Sequence, residues 1–199
     1  LNYKTFSFVL RNNHHLRSLV NPTYPVYSLA KYYRASRQGR EVVNVLGEDA
    51  KQAAGWQVRG KKTVVVLVVG ETARAENFSL NGYQQDTNPE LAKENVINFS
   101  NTHSCGTATA VSLPCMFSNL KRSGYSDALA KENENLLDVL KHAGVHVLWL
   151  DNNSGCKGVC QRVALKNTEA LSLPGYCAEG ECYDEIMLGE LRAALKTLP

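Results

Sequence analysis

No stretch of this 199-residue chain carries the run of about 20 apolar residues that a membrane-crossing helix needs. The longest apolar run, Val64 to Val69, is the size of a buried strand. A signal peptide and an initiator methionine are missing as well. The chain opens in mid-pattern at Leu1 and stops at Pro199 after a helical stretch, so we expect an excised piece of a longer polypeptide. Internal repeats and low-complexity tracts are absent. Acidic residues are absent from residues 1–40, which hold Lys4, Arg11, Arg17, Lys31, Arg34, Arg37 and Arg40. The same stretch contains Tyr3, Phe6, Phe8, Tyr24, Tyr27, Tyr32 and Tyr33. Basic residues mixed with aromatics suit an anionic membrane surface or a nucleic acid whose bases stack on the rings. They equally suit a solvated linker whose aromatics pack on the domain. The membrane and linker readings stand ahead of nucleic acid.

The length gives room for one good core, or one core plus an extension. The net charge of +3 does not itself select a partner. Six cysteines form three close pairs: Cys105/Cys115, Cys156/Cys160 and Cys177/Cys182. Pairing that is local throughout suggests three short-loop disulfides and an oxidising compartment. The rival is a four-thiolate zinc ribbon from the last two pairs, which leaves Cys105 and Cys115 needing a separate explanation.

Residues 1–60 show no clean core pattern; Pro22 and Pro25 interrupt it, and Gly39 to Gly60 is polar. We read 1–60 as a linker with one or two short amphipathic helices, and 61–199 as the compact domain. Residues 63–69 read as a strand buried on both faces, because the apolar residues do not alternate. Asn88-Pro89-Glu90 is a helix-start signal. Val96 to Phe99 is expected to be a short strand, with helix from after Gly106 to about Asn119. A helix over 134–142 stopped by Gly144, a strand over 145–150 and a final helix over 185–196 follow. Strand and helix in alternation, with parallel-type strands, predict an α/β fold: a doubly wound, mostly parallel sheet with helices on both faces. Ligands in such folds bind beyond the carboxyl ends of strands, where Glu71, the 104–109 loop and Asp151–Lys157 fall.

The richest segment for chemistry is Ser104-Cys-Gly-Thr-Ala-Thr-Ala-Val-Ser-Leu-Pro-Cys115. A hydroxyl at a helix N-terminus sits where backbone N–H groups converge and the dipole is positive. That place binds phosphate and favours an alkoxide. Thr107 and Thr109 are both candidate nucleophiles, or else ordinary capping hydroxyls. Glu71 is placed as a metal ligand, or as a strand-end carboxylate paired with Arg74. Lys157 could clamp a phosphate as a point charge, or face water. His103 reads as a surface or satisfied residue. His14, His15, His142 and His146 lack acidic or cysteine neighbours at ligand spacing.

Several motifs occur in order: Val68-Val-Gly-Glu-Thr-Ala-Arg-Ala75, Asn81-Gly-Tyr83, Asn98-Phe-Ser-Asn101, Ser104-Cys-Gly-Thr-Ala-Thr-Ala110, Pro114-Cys-Met-Phe117, Asp151-Asn-Asn-Ser154 and Lys157-Gly158. Together they resemble the lipid A phosphoethanolamine transferases, a family that includes the transferable colistin-resistance enzymes. The likeness covers about residues 64–190, and Leu16-Arg-Ser-Leu-Val-Asn-Pro22 resembles the family's stretch between membrane domain and catalytic domain. The resemblance implies an alkaline-phosphatase/sulfatase-like periplasmic domain of a Gram-negative inner-membrane protein, here its N-terminal part. It implies zinc, with Glu71 and Thr109 as ligands and Thr109 as the nucleophile. Phosphatidylethanolamine would be the donor and lipid A the acceptor, through a Thr109-linked intermediate, giving polymyxin resistance. Asn153, Ser154 and Lys157 would lie by the bound phosphoethanolamine, residues 1–60 would approach the inner membrane surface, and no nucleic acid is involved. The cysteine pairs match the family's disulfides. The family's other zinc ligands, an Asp-His pair, and its later substrate histidines lie further along than Pro199, so the fragment alone is expected to be inactive.

Two rival functions remain open. One is another metal-dependent phosphodiesterase or hydrolase of the same superfamily, although the cysteine or serine motif that sulfatases convert to an aldehyde does not stand at Thr109. The other is a non-catalytic, disulfide-stapled periplasmic module.

Overall fold

The computed structural model describes residues 25–30, 33, 43–57, 62–70, 73–168, 171, 173–178 and 181–197. The chain divides into two units, 1–42 and 43–199. In the first, residues 25–30 are helical, and Val26, Tyr27 and Leu29 are exposed. No helix among the described residues is long and apolar enough to cross a membrane.

The second unit runs α1 (Ala54–Gln57), α2 (Thr109–Phe117), α3 (Asp127–Lys131), α4 (Leu136–His142), β1 (Leu148–Asp151), β2 (Ala164–Asn167), β3 (Cys177–Ala178), β4 (Glu181–Cys182) and α5 (Ile186–Thr197). β1 and β2 pair in parallel, from Leu148 opposite Ala164 to Asp151 opposite Asn167. The crossover between them, residues 152–163, is an irregular loop closed by the Cys156–Cys160 disulfide. β3 and β4 form an antiparallel hairpin in which Cys177 faces Cys182 and is bonded to it.

The core gathers Leu113 and Phe117 from α2, Leu137 from α4, and Cys156, Val159 and Cys160 from the crossover. The Phe117 ring meets Trp149 of β1 edge-on at 5.7 Å. Helix α2 and the crossover loop are therefore held by the same buried cluster. Helix α4 starts at a capping box: the Asn135 side chain accepts the Leu137 N–H at 2.8 Å, and Asp138 accepts the Asn135 N–H at 2.9 Å. Gly144, at φ +74°, turns the chain out after it.

Residues 43–57 belong to this larger unit. Asn44 bridges Asn133, the Leu46 N–H donates to Glu134 at 3.0 Å, and the Gln52 amide donates to the Ala143 carbonyl at 3.1 Å. The composition places the compact domain at 61 because these contacts are polar and leave no apolar pattern.

Three expected elements differ. Residues 63–69 and 96–99 carry no strand pairing, and Val65, Ile97 and Phe99 are 85%, 83% and 77% exposed. An apolar run becomes a buried strand only between two neighbours, and no described strand lies beside either run. After Asn88 the chain makes a single 3-10 turn, Leu91–Lys93, and not a helix, since a start signal without an apolar face behind it does not propagate.

Candidate functional site

Thr109 is the first residue of α2 and is half-buried; Ala108 before it has extended backbone and offers no side-chain cap. The N–H groups of Val111 and Ser112 already turn back to the Ala108 carbonyl, both at 2.9 Å. The Thr109 hydroxyl therefore stands at the positive end of a nine-residue helix. Thr107 lies outside the helix and is exposed. The Cys105–Cys115 disulfide ties the loop before the helix to the helix body, where Cys115 is buried. Within that loop the Ser104 hydroxyl donates to the Gly106 carbonyl at 2.7 Å.

Glu71 lies outside the described residues. Arg74, the neighbour that a purely structural role for Glu71 calls on, forms an ion pair with Glu76. An open cleft of about 400 Å³ lies between Arg74–Glu76 and Ser100–His103 and is lined by neither Thr109 nor Lys157.

The loop after β1 brings Ser154 and Lys157 together. The Lys157 ammonium donates to the Ser154 carbonyl at 2.6 Å and to its hydroxyl at 2.7 Å. The Asn153 side-chain oxygen accepts the Ser154 N–H at 2.6 Å. Lys157 has φ +50°, a left-handed backbone that non-glycine residues seldom adopt and that often marks a working site. The Cys156–Cys160 bridge holds the loop from beneath, and the Cys160 N–H donates to Cys156 Sγ at 3.0 Å.

An ion pair stands behind this loop. Arg162 reaches Asp138 through Nε at 2.7 Å and a terminal nitrogen at 2.6 Å. Burial of Asp138 works against its charge, but the hydrogen bonds from Arg162 and the Asn135 N–H, with the charges of Arg162 and His142, hold its pKa below the ordinary carboxylate value. The same hydrogen bond raises Arg162 against its own burial. The Asn135 amide donates to the Val159 carbonyl at 2.8 Å, joining the α4 cap to the loop. At α3, Tyr125 is pushed up to about 12 by burial and by its hydrogen bond to Asp127. Sequence reasoning missed the Asp138–Arg162 pair. An Asn three residues before an Asp at a helix start is a signal that could have found the Asp138 half, whereas Arg162, 24 residues on, carries none.

Among the described residues no three His, Cys, Asp or Glu side chains gather to hold a metal ion. By themselves these residues do not make a zinc site.

A family model described as Sulfatase matches residues 63–198, and one described as Phosphoethanolamine transferase EptA/EptB matches residues 1–37. The chain is 46% identical over 196 residues to phosphoethanolamine transferase EptA of Escherichia coli O157:H7, covering 98% of this chain and 36% of that protein. It is 49% identical over 154 residues to phosphatidylethanolamine transferase Mcr-1 of Escherichia coli, covering 74% of this chain and 28% of that one. Among solved structures it resembles the integral membrane protein lipooligosaccharide phosphoethanolamine transferase A from Neisseria meningitidis. That match has a TM-score of 0.77 at 39% identity and covers 98% of this chain and 37% of that one. The chain thus spans about a third of the length of the EptA relative it matches. It belongs to the sulfatase family, and its named relatives within that family are phosphoethanolamine transferases.

Proposed function

We propose that this chain is the N-terminal part of the periplasmic catalytic domain of a lipid A phosphoethanolamine transferase, with residues 1–42 as its membrane-proximal connection. The observation that carries the reading is the 46% identity to EptA across nearly the whole chain. The local geometry supports it. A hydroxyl at a helix N-terminus is a fitting nucleophile toward a phosphate ester. A lysine already gathered with a serine is a fitting grip for the phosphate. Three disulfides support an oxidising compartment such as the periplasm.

In this reading Thr109 Oγ bonds to the phosphorus of phosphatidylethanolamine, the phosphorus–oxygen bond to glycerol breaks, and the threonine proton ends on the departing diacylglycerol. A lipid A phosphate hydroxyl oxygen then bonds to the same phosphorus, the Thr109 ester bond breaks, and the proton of that hydroxyl passes to Thr109 Oγ, restoring the threonine. The dipole of α2 favours negative charge on Oγ. Lys157 offsets the phosphate charge, while Ser154 and Asn153 orient it. The metal would be zinc, held in part by Glu71 and Thr109 and completed by residues outside 1–199; when bound it would lower the pKa of the hydroxyl. Residues 1–199 alone therefore lack turnover in this reading.

The test is expression of the intact protein in a Gram-negative host, with Thr109→Ala alongside. Mass spectrometry of lipid A and of the protein's peptides should find phosphoethanolamine on both lipid A and Thr109, and on neither in the variant. Unaltered lipid A with unmodified Thr109 would move the assignment to a non-catalytic module, and an adduct on Thr107 would move the nucleophile.

A further inference from the structure

Asp151 is the last residue of β1 and is 7% exposed. A carboxyl group at a core position is costly unless its oxygens are matched. Both are: Oδ2 accepts the Gly155 N–H at 3.0 Å, and Oδ1 accepts the Trp149 indole N–H at 3.4 Å. Its backbone carbonyl accepts the N–H and the hydroxyl of Thr168, at 2.8 and 3.1 Å, and Thr168 is fully buried. The Gly155 N–H is shared with the Asn153 carbonyl at 2.8 Å, so the turn carrying Asn153 and Ser154 is closed both by its own backbone and, from the inside, by one carboxylate.

That turn needs holding. Gly155, Lys157 and Gly158 have φ of +85°, +50° and +94°. The two glycines take such angles freely, but Lys157 does so at a cost, so the turn places its strain on the lysine itself. The Asp151–Gly155 hydrogen bond restrains it on one side and the Cys156–Cys160 disulfide on the other. Asn152 adds an outer tie, donating to the Cys182 carbonyl and to Asp184, both at 2.9 Å.

We propose that Asp151 is a positioning residue for phosphate binding: by holding the Gly155 N–H it presets the 153–157 turn, so that the Ser154 hydroxyl and the Lys157 ammonium meet a phosphate together. The inference rests on the reading that Ser154 and Lys157 bind the donor's phosphate. Its energetic sense is preorganisation. A grip ordered before binding does not lose affinity to ordering at the moment of binding. Asp151 touches no reacting atom, so its loss falls on the donor's KM more than on kcat.

The experiment uses the intact protein with a short-chain phosphatidylethanolamine in detergent micelles. Asp151→Ala should raise the donor KM about tenfold while changing kcat by less than about threefold. Asp151→Asn keeps an oxygen toward the Gly155 N–H and should restore KM to within about threefold of the parent. Combined with Lys157→Ala, Asp151→Ala should add little, because both act on one grip. Gly155→Ala guards against a misfolded Asp151 variant. The added Cβ meets nothing within 4 Å, yet φ +85° disfavours it, so only the turn is disturbed and the same KM rise is expected. An unchanged KM in Asp151→Ala and Gly155→Ala, or effects that multiply independently in the double variant, would overturn the role of Asp151. An unchanged KM in Lys157→Ala alone would instead overturn the phosphate grip, and the role of Asp151 with it.

Discussion

Removing the Arg162 side chain strands the Asp138 carboxylate, which is 3% exposed and has no second cation hydrogen-bonded to it among the described residues. Arg162 itself is partly solvated, so Arg162→Ala should cost about 2 kcal/mol, between the exposed and fully buried limits. Urea unfolding at pH 7 measures it. The pH dependence has a definite sign. A carboxylate whose folded pKa is lowered contributes stability above its unfolded pKa, near 3.8, and loses it as pH falls through the lower folded value. The parent should therefore lose stability below about pH 4 more steeply than Asp138→Asn, which has no proton to take up. At this scale the sequence was informative where chemistry is local. The resemblance groups Ser154 with Lys157, three residues on, and the two side chains do meet. Asp151 falls in the loop after the strand and in the Asp151–Ser154 motif, but nothing in the sequence assigns it a role of its own, because that role lies in a turn geometry and a buried position that no spacing encodes.

Among the elements, α4 has the best-defined start, and Asn135 serves it three ways: its side-chain oxygen accepts from the Leu137 N–H, its backbone N–H donates to Asp138, and its side-chain amide donates to the Val159 carbonyl. Asn135→Ala should cost about 2 kcal/mol, the upper end for a lost cap, since the tie to Val159 goes with it. Asn135→Asp, which still caps, should recover part of that; thermal melts of the two variants check the ranking. Helices with an apolar face were legible, capped (α4) or not (α2): α2, α4 and α5 lie within about two residues of the expected limits. The strand over 145–150 appears as β1, Leu148–Asp151, shifted toward its carboxyl end. The run over 63–69 was misread because apolar composition reports what a segment can bury, not whether a neighbour is present to bury it.

For the molecule as a whole, Val64 to Val68, Ile97 and Phe99 leave a large amount of apolar surface in water. Exposed apolar surface with unpaired backbone favours association. Residues 1–199, prepared alone, should self-associate and bind a hydrophobic dye, and Val65→Lys with Ile97→Lys should lessen both. Analytical ultracentrifugation with dye fluorescence checks this, and a dye-silent monomer would contradict it.

The three disulfides also bear on how the protein is made. The bonded cysteines are 10, 4 and 5 residues apart, and no bridge encloses or crosses another. Six thiols allow 15 complete pairings, but a chain threaded outward from its N-terminus presents each native pair before the next cysteine emerges. Correct pairing then follows from the order of arrival. Forming these three bridges calls for a thiol oxidant but no proofreading isomerase, and a host strain lacking the isomerase should still yield all three native pairs by peptide mapping after thiol alkylation.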